Sequence, residues 1–292
     1  MTGLGSWLRE RWAQRQERRA LARRAIPDIT WRRTLRRFPF LVEGAGRDEE
    51  RLRRMTSLFL DQKEFSGAHG LKVTDDMAVA IAAQACLPVL HLGLGLYSGF
   101  VGIVVHPGAA KVYRERVGED GVVHAGDEEL AGEAHHGGPV MLSWRDVRAS
   151  GASAPRGYNV VIHEFAHVID MANGDADGHP PLPPDIDMAE WASTFRGEFE
   201  RFAARVDGYE PTVMDPYASQ GPDEFFAVAT EAFFVNREAF AQEHPALDAL
   251  LARFYRCPTL PVAASMLAEE QPTNGPPPEA PNPSQGRGSS EG

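Results

Sequence analysis

Hydrophobic positions recur at intervals of three and four over several stretches of this chain, and each stretch predicts a helix. The clearest spans residues 185–206, where Met188, Trp191, Phe195, Phe199, Phe202 and Val206 form one core-packing stripe. Others cover 49–63 and 75–86, the second opened by the capping sequence Thr74-Asp75-Asp76 and closed by Pro88. Pro222 and Pro245 each open a further helix, at a position where a missing N–H does no harm. Short strand-like runs fall at 99–105, 121–124 and 139–144. One more helix, from about Gly157 to Asn173-Gly174, is apolar on most sides yet carries the polar stripe His163, Glu164, His167 and Asp170. The strands precede most of the helices and no βαβ alternation is visible. The pattern therefore predicts an α+β fold, with a small mixed sheet packed on the 157–173 helix and a helical C-terminal half.

Charge and composition set off the two ends. Residues 1–37 hold eleven arginines against Glu10, Glu17 and Asp28, so the rest of the chain is more acidic than the net charge of −11 implies. Trp7, Leu8, Trp12, Leu21 and Ala22 give this segment a weak apolar side. It reads as a helical arm over 1–38, either a solvated extension or a contact for nucleic acid or an anionic membrane surface. Residues 271–292 are Pro, Asn, Gly, Ser and Glu with nothing to bury, and are expected to be disordered. The main domain is expected over 39–270. Residues 77–105 form a long uncharged stretch, but Gln84, Pro88, His91 and several glycines argue against a membrane span. No secretion signal is visible at the N-terminus, because the apolar stretch there is short and arginines follow. Cys86 and Cys257 are the only cysteines, which excludes a disulfide framework and a cysteine-rich metal module. The expected compartment is the cytoplasm.

The candidate chemistry lies in His163-Glu164-Phe165-Ala166-His167. Four residues apart on a helix, the two imidazoles share a face and can reach one ion. Glu164 projects from the adjoining flank, where its carboxylate can take a proton from an activated water. Polar groups on a buried helix must be paired or bound, and a metal satisfies that demand. Such a site needs a third protein ligand. Asp170 shares the face but lies one turn on along the same helix, so a supporting role, holding an imidazole or capping the helix end, suits it better. The stretch Asn173-Gly174-Asp175-Ala176-Asp177-Gly178 lacks a full calcium-loop spacing and reads as a turn. Downstream, an apolar helix carries Glu224 and Glu231 on one face, and buried carboxylates need partners. Either can supply the third ligand, with the other anchoring a histidine or a cap.

Several pieces, in order, resemble the MtfA (Mlc titration factor A) family of zinc peptidases. They are Leu87-Pro88-Val89-Leu90, Gly138-Pro139-Val140-Met141-Leu142-Ser143-Trp144, the run from Asn159 to Asp170, Asn173-Gly174-Asp175, Asp215-Pro216-Tyr217-Ala218, Glu224-Phe225-Phe226-Ala227-Val228 and Glu231-Ala232-Phe233-Phe234. The helix, Tyr and Glu-Phe-Phe arrangement is also similar to the catalytic domain of anthrax lethal factor. The resemblance implies a zincin-like fold and one Zn2+ per chain held by His163, His167 and Glu224. It further implies Tyr217 as the active-site tyrosine and leaves Glu231 to a supporting place. The arm and the tail lie outside it. His135-His136, not a family feature, reads as an exposed loop, with an extra metal site or a place at the cleft rim as alternatives.

The implied activity is peptide-bond hydrolysis, aminopeptidase-like by resemblance, with Glu164 as general base and Tyr217 stabilising the oxyanion. A peptide or protein substrate would add as a strand to a sheet edge, for which residues 140–144 are the candidate. The rival reading is a regulatory protein that binds and sequesters a transcriptional repressor, the property from which the family takes its name, with peptidase activity secondary. Nothing in the sequence points firmly to a nucleic-acid or membrane partner.

Overall fold

Side-chain caps fix where the principal helices begin. In the computed structural model, which describes residues 3–258 apart from 109, 118–122, 131 and 134–136, the chain runs through eleven α-helices and six strands among the described residues. In order they are α1 (Gly3–Arg23), α2 (Asp28–Arg37), α3 (Phe40–Ala45), α4 (Glu49–Gln62), β1 (Glu64–Gly67), α5 (Asp75–Cys86), β2 (Gly102–His106), β3 (Ala110–Val117), β4 (Val123–Leu130), β5 (Gly132–Glu133), β6 (Val140–Ser143), α6 (Trp144–Ser153), α7 (Val160–Asp170), α8 (Met188–Asp207), α9 (Pro222–Val235), α10 (Arg237–Glu243) and α11 (Pro245–Phe254). The Thr74 hydroxyl accepts the Met77 N–H to open α5, Asn159 Oδ1 accepts the Ile162 N–H at 3.0 Å to open α7, and Asp187 Oδ1 caps α8. Pro222 and Pro245 begin α9 and α11, as expected for proline in a first helical turn.

The main sheet is mixed, with strand order β1-β2-β6-β5. β1, β2 and β6 are parallel, pairing Phe65 with Ile103 and Val104 with Met141, and β5 runs antiparallel to β6 through Gly132–Leu142 and Glu133–Met141. β3 and β4 form a separate antiparallel ribbon. Two expectations change. Helix α5 joins the parallel strands β1 and β2, so a βαβ unit is present; β1 is Glu-Phe-Ser-Gly, whose one apolar residue gives no strand signal. Second, β6 is not an edge: β2 pairs with it on one side and β5 on the other, which leaves β5 and β1 at the edges. Ser143 then caps α6, so the expected strand ends one residue before Trp144.

Helix α7 packs against α5 and α9 and over β5 and β6. Beneath it Phe165 is fully buried against Phe59, Tyr97 and Phe100, at ring separations of 5.6, 5.0 and 5.8 Å. Lys63 closes this cluster, its ammonium donating to the Tyr97 and Phe100 carbonyls, and burial lowers its pKa to about 8. A second aromatic layer joins α8, α9 and α11. The arginine-rich segment is helical, and its second half is part of the core: Ile26, Trp31 and Phe38 are buried, and the Trp31 indole donates to Glu49 at 3.0 Å. Among the described residues no helix is long and apolar enough to cross a membrane. The expectations for residues 121–122, His135-His136 and 271–292 fall outside the described residues.

Candidate metal centre

Two helices meet to form the site. From α7 come His163 and His167, one turn apart, and from α9 come Glu224 and Glu231, two turns apart on the side that packs against α7. His163 Nε2 lies 3.2 Å from His167 Nε2 and 3.2 Å from Glu224 Oε2, and the third edge, His167 Nε2 to Glu224 Oε2, is 3.5 Å. Donors held about 2.0–2.1 Å from a tetrahedral ion are spaced by roughly 3.3 Å, so this triangle has the dimensions of three corners of such a site. Glu224 Oε2 is buried and has no hydrogen-bond partner, although it faces both imidazoles. An orphaned carboxylate oxygen of this kind calls for a cation. Two imidazole nitrogens and one carboxylate oxygen suit a divalent transition ion better than calcium or magnesium. Among the described residues this trio is the one group that could hold a metal.

Around the triangle, each remaining candidate has a definite partner. Glu231 is 1% exposed; its Oε1 lies 2.7 Å from His163 Nδ1 and its Oε2 accepts the Asn159 backbone N–H. The first contact fixes His163 with Nδ1 protonated and leaves Nε2 free for a ligand bond. Asn159 extends the chain to α5, its amide donating to Gln84 Oε1 at 2.9 Å, and Gln84 is itself fully buried. Sequence reasoning met Gln84 only as an interruption in an apolar run. Like Glu231, Gln84 is a polar residue on an apolar helix, and the need of a buried polar group for a partner singles it out.

Tyr217 stands on a short 3-10 turn, Pro216–Gln220, which Asp215 caps by accepting the Tyr217 N–H at 2.9 Å. Its hydroxyl donates to Glu224 Oε1 at 3.2 Å, so the tyrosine reaches the cluster from a third element. Glu164 is 4% exposed, and burial pushes its pKa up to about 7; the charges of Glu224 and Glu231 add to the rise while both histidines oppose it. Burial pushes Glu224 the same way, but the adjacent His163 and His167 imidazoles outweigh it and hold that carboxyl well below the usual range.

Asp170 serves the helix end. Its Oδ2 accepts the Gly178 N–H at 2.7 Å, and the Gly178 carbonyl takes the Trp191 indole N–H, which ties the loop after α7 to α8. Gly178 has φ +78°, and a Cβ there would sit 2.6 Å from the Phe195 ring, so glycine is required.

Residues 11–256 match the family described as glucose-regulated metallo-peptidase M90, a span that includes most of the arginine-rich segment. An uncharacterized protein of a Synechocystis strain is 35% identical over 256 residues, covering 87% of this chain and 90% of the relative. The Mlc titration factor A proteins of Edwardsiella ictaluri and Klebsiella pneumoniae are 38% and 33% identical over 75% and 78% of this chain, and 84% and 86% of their own lengths. The chain belongs to the glucose-regulated metallo-peptidase M90 family, the family of the Mlc titration factor A proteins.

Proposed function

We propose that this protein is a zinc-dependent peptidase of zincin-like organisation, with His163, His167 and Glu224 as ligands and Glu164 as general base. The triangle of donor atoms, closed by the orphaned Glu224 oxygen, carries the reading. Bound there, zinc would supply Lewis acidity and bring the pKa of a water from ~15.7 towards ~7. Glu164 accepts the proton of the attacking water and delivers it to the leaving amine nitrogen, a task suited by a carboxyl whose pKa burial raises to about 7. The Tyr217 hydroxyl, already directed at Glu224, supplies a hydrogen bond to the developing oxyanion. Asp170 and Glu231 act on the helix end and the His163 ring respectively, without touching substrate.

The substrate is a peptide or protein whose backbone adds to the sheet edge beside α7. With β6 covered, that edge is β5, which packs against α7. Cleavage from the N-terminal end, the aminopeptidase mode, follows from the family resemblance alone. The cytoplasm is the proposed compartment, in keeping with the free thiols of Cys86 and Cys257. The name of the relatives points to a second reading, in which binding of the Mlc regulator is the main task and hydrolysis secondary.

Elemental analysis paired with a panel of aminoacyl and internally quenched peptides separates these readings. The expected outcome is one zinc per chain in both the wild type and Glu164→Ala, with turnover about 10²–10⁴-fold lower in the variant. Zinc without turnover on any peptide moves the assignment to regulator binding, and absence of bound metal in the purified protein overturns both the ligand set and the peptidase reading.

A further inference from the structure

Helix α1 has two unlike sides. Through one it packs along α4: Glu17 pairs with Arg54, Arg23 with Asp61 at 2.8 Å, and Ala20 is buried between them. With 3.6 residues per turn, Trp7, Arg11, Trp12, Arg15, Arg18 and Arg19 fall within an arc of roughly 140° on the other side. All six are exposed, Trp7 to 48% and Trp12 to 66%, and the arc contains no acidic residue. The indoles mark its two flanks with the arginines between them, and the Arg11 guanidinium lies 4.8 Å over the Trp7 ring.

We infer that this face of α1 docks the protein on an anionic phospholipid surface. Guanidinium groups bind phosphate oxygens through paired N–H donors, and indoles settle at the boundary between headgroups and acyl chains, so the two residue types address adjacent depths of one interface. A lone helix held against α4 by its other side can lie flat on such a surface. The rest of the chain carries the excess acid, which confines the attraction to this arm and keeps the body off the surface. A nucleic-acid strand is the lesser fit: the face is a convex helix side with its aromatics at opposite flanks, whereas strand binding uses a groove lined by successive stacking rings. The inference is independent of the metal centre and places the catalytic domain beside membrane-proximal polypeptides.

Co-sedimentation of the full-length protein with vesicles tests it, using phosphatidylcholine alone and phosphatidylcholine with about a third phosphatidylglycerol. The expected result is retention by the anionic vesicles only, released by about 0.5 M salt. Replacing Arg11, Arg15, Arg18 and Arg19 together by Gln should weaken retention by up to about a thousandfold, with helical circular dichroism unchanged. Arg15→Glu alone is the milder variant and should weaken it by about fivefold or more. Failure of the wild type to bind anionic vesicles, or equal retention of the variants, overturns the inference. Tighter binding to a single-stranded oligonucleotide than to vesicles at equal phosphate overturns it in favour of nucleic acid.

Discussion

The two sides of α9 do opposite work. Towards α8 and α11 the helix presents Phe225 and Phe226, which meet Phe195, Phe199, Phe202, Trp191 and Phe254 at ring separations between 5.3 and 6.5 Å. Towards α7 it presents Glu224 and Glu231, which meet two imidazoles and a helix end. The first side contributes apolar burial and edge-to-face contacts, the usual source of stability. The second places carboxylates where water is excluded, at a desolvation cost that ion pairing offsets only in part. One fourteen-residue helix thus carries both the anchor of the fold and its charged machinery. Changes on the first side should read out in folding, and changes on the second in binding and rate.

The largest effect should come from Phe225→Ala. The ring is fully buried, and its loss should cost about 3–5 kcal/mol in denaturant unfolding while leaving the metal stoichiometry of the folded fraction intact. Loss of metal without loss of stability would break the division between the two sides. Next comes Tyr217→Phe, which removes a hydroxyl without disturbing packing. A drop of roughly 10²-fold in kcat at nearly constant KM is expected from steady-state kinetics, and a change in KM alone would reduce Tyr217 to a packing residue. Glu231→Gln sharpens the contrast: metal affinity by chelator competition should fall about 10–100-fold, while stability falls less than for Phe225→Ala because the amide keeps an acceptor for the Asn159 N–H. A loss of stability as large as that of Phe225→Ala with metal affinity unchanged would assign Glu231 to the fold alone.

The smallest effect concerns pH. Burial pushes Asp170 up to about 6, against the Gly178 N–H, which lowers it. Between the unfolded value of about 4 and the folded value of about 6 the native state holds the extra proton, so this group's contribution to stability declines as pH rises through that window. Asp170→Asn has no such slope. The stability of the variant relative to the wild type should therefore grow between about pH 4 and 6 and level off above, by about 1.4 kcal/mol for each unit that separates the folded from the unfolded pKa, on top of a pH-independent offset from the weaker amide acceptor facing the Gly178 N–H. A difference that stays flat across the window removes burial as the cause.

What the sequence disclosed divides along the same line. The local signals were legible. Thr74 and the two prolines announced their helices, and the i, i+4 histidines announced a ligand face, because caps and periodicity act within one or two turns. The face shared by Glu224 and Glu231 was legible too, but not which of them closes the triangle, since that depends on how far α9 is advanced along α7. β1 escaped notice because Glu64-Phe65-Ser66-Gly67 has no alternation, and only pairing with β2 makes it a strand. β6 looked like an edge because its cover, β5, is only the two residues Gly132-Glu133, too short and too polar to read as a strand. Trp31 and Phe38 lay hidden among arginines, although α2 packs against α5 and both residues join the core.

Glu231 holds α7 at two places about one turn apart, the backbone of Asn159 and the ring of His163. A helix gripped in this way cannot slide or rotate against α9 without breaking a buried ionic contact. On the proposed peptidase reading, control is then expected to act on which polypeptides reach the site, by covering it, by tethering the molecule near them or by holding it away, rather than by shifting α7 against α9.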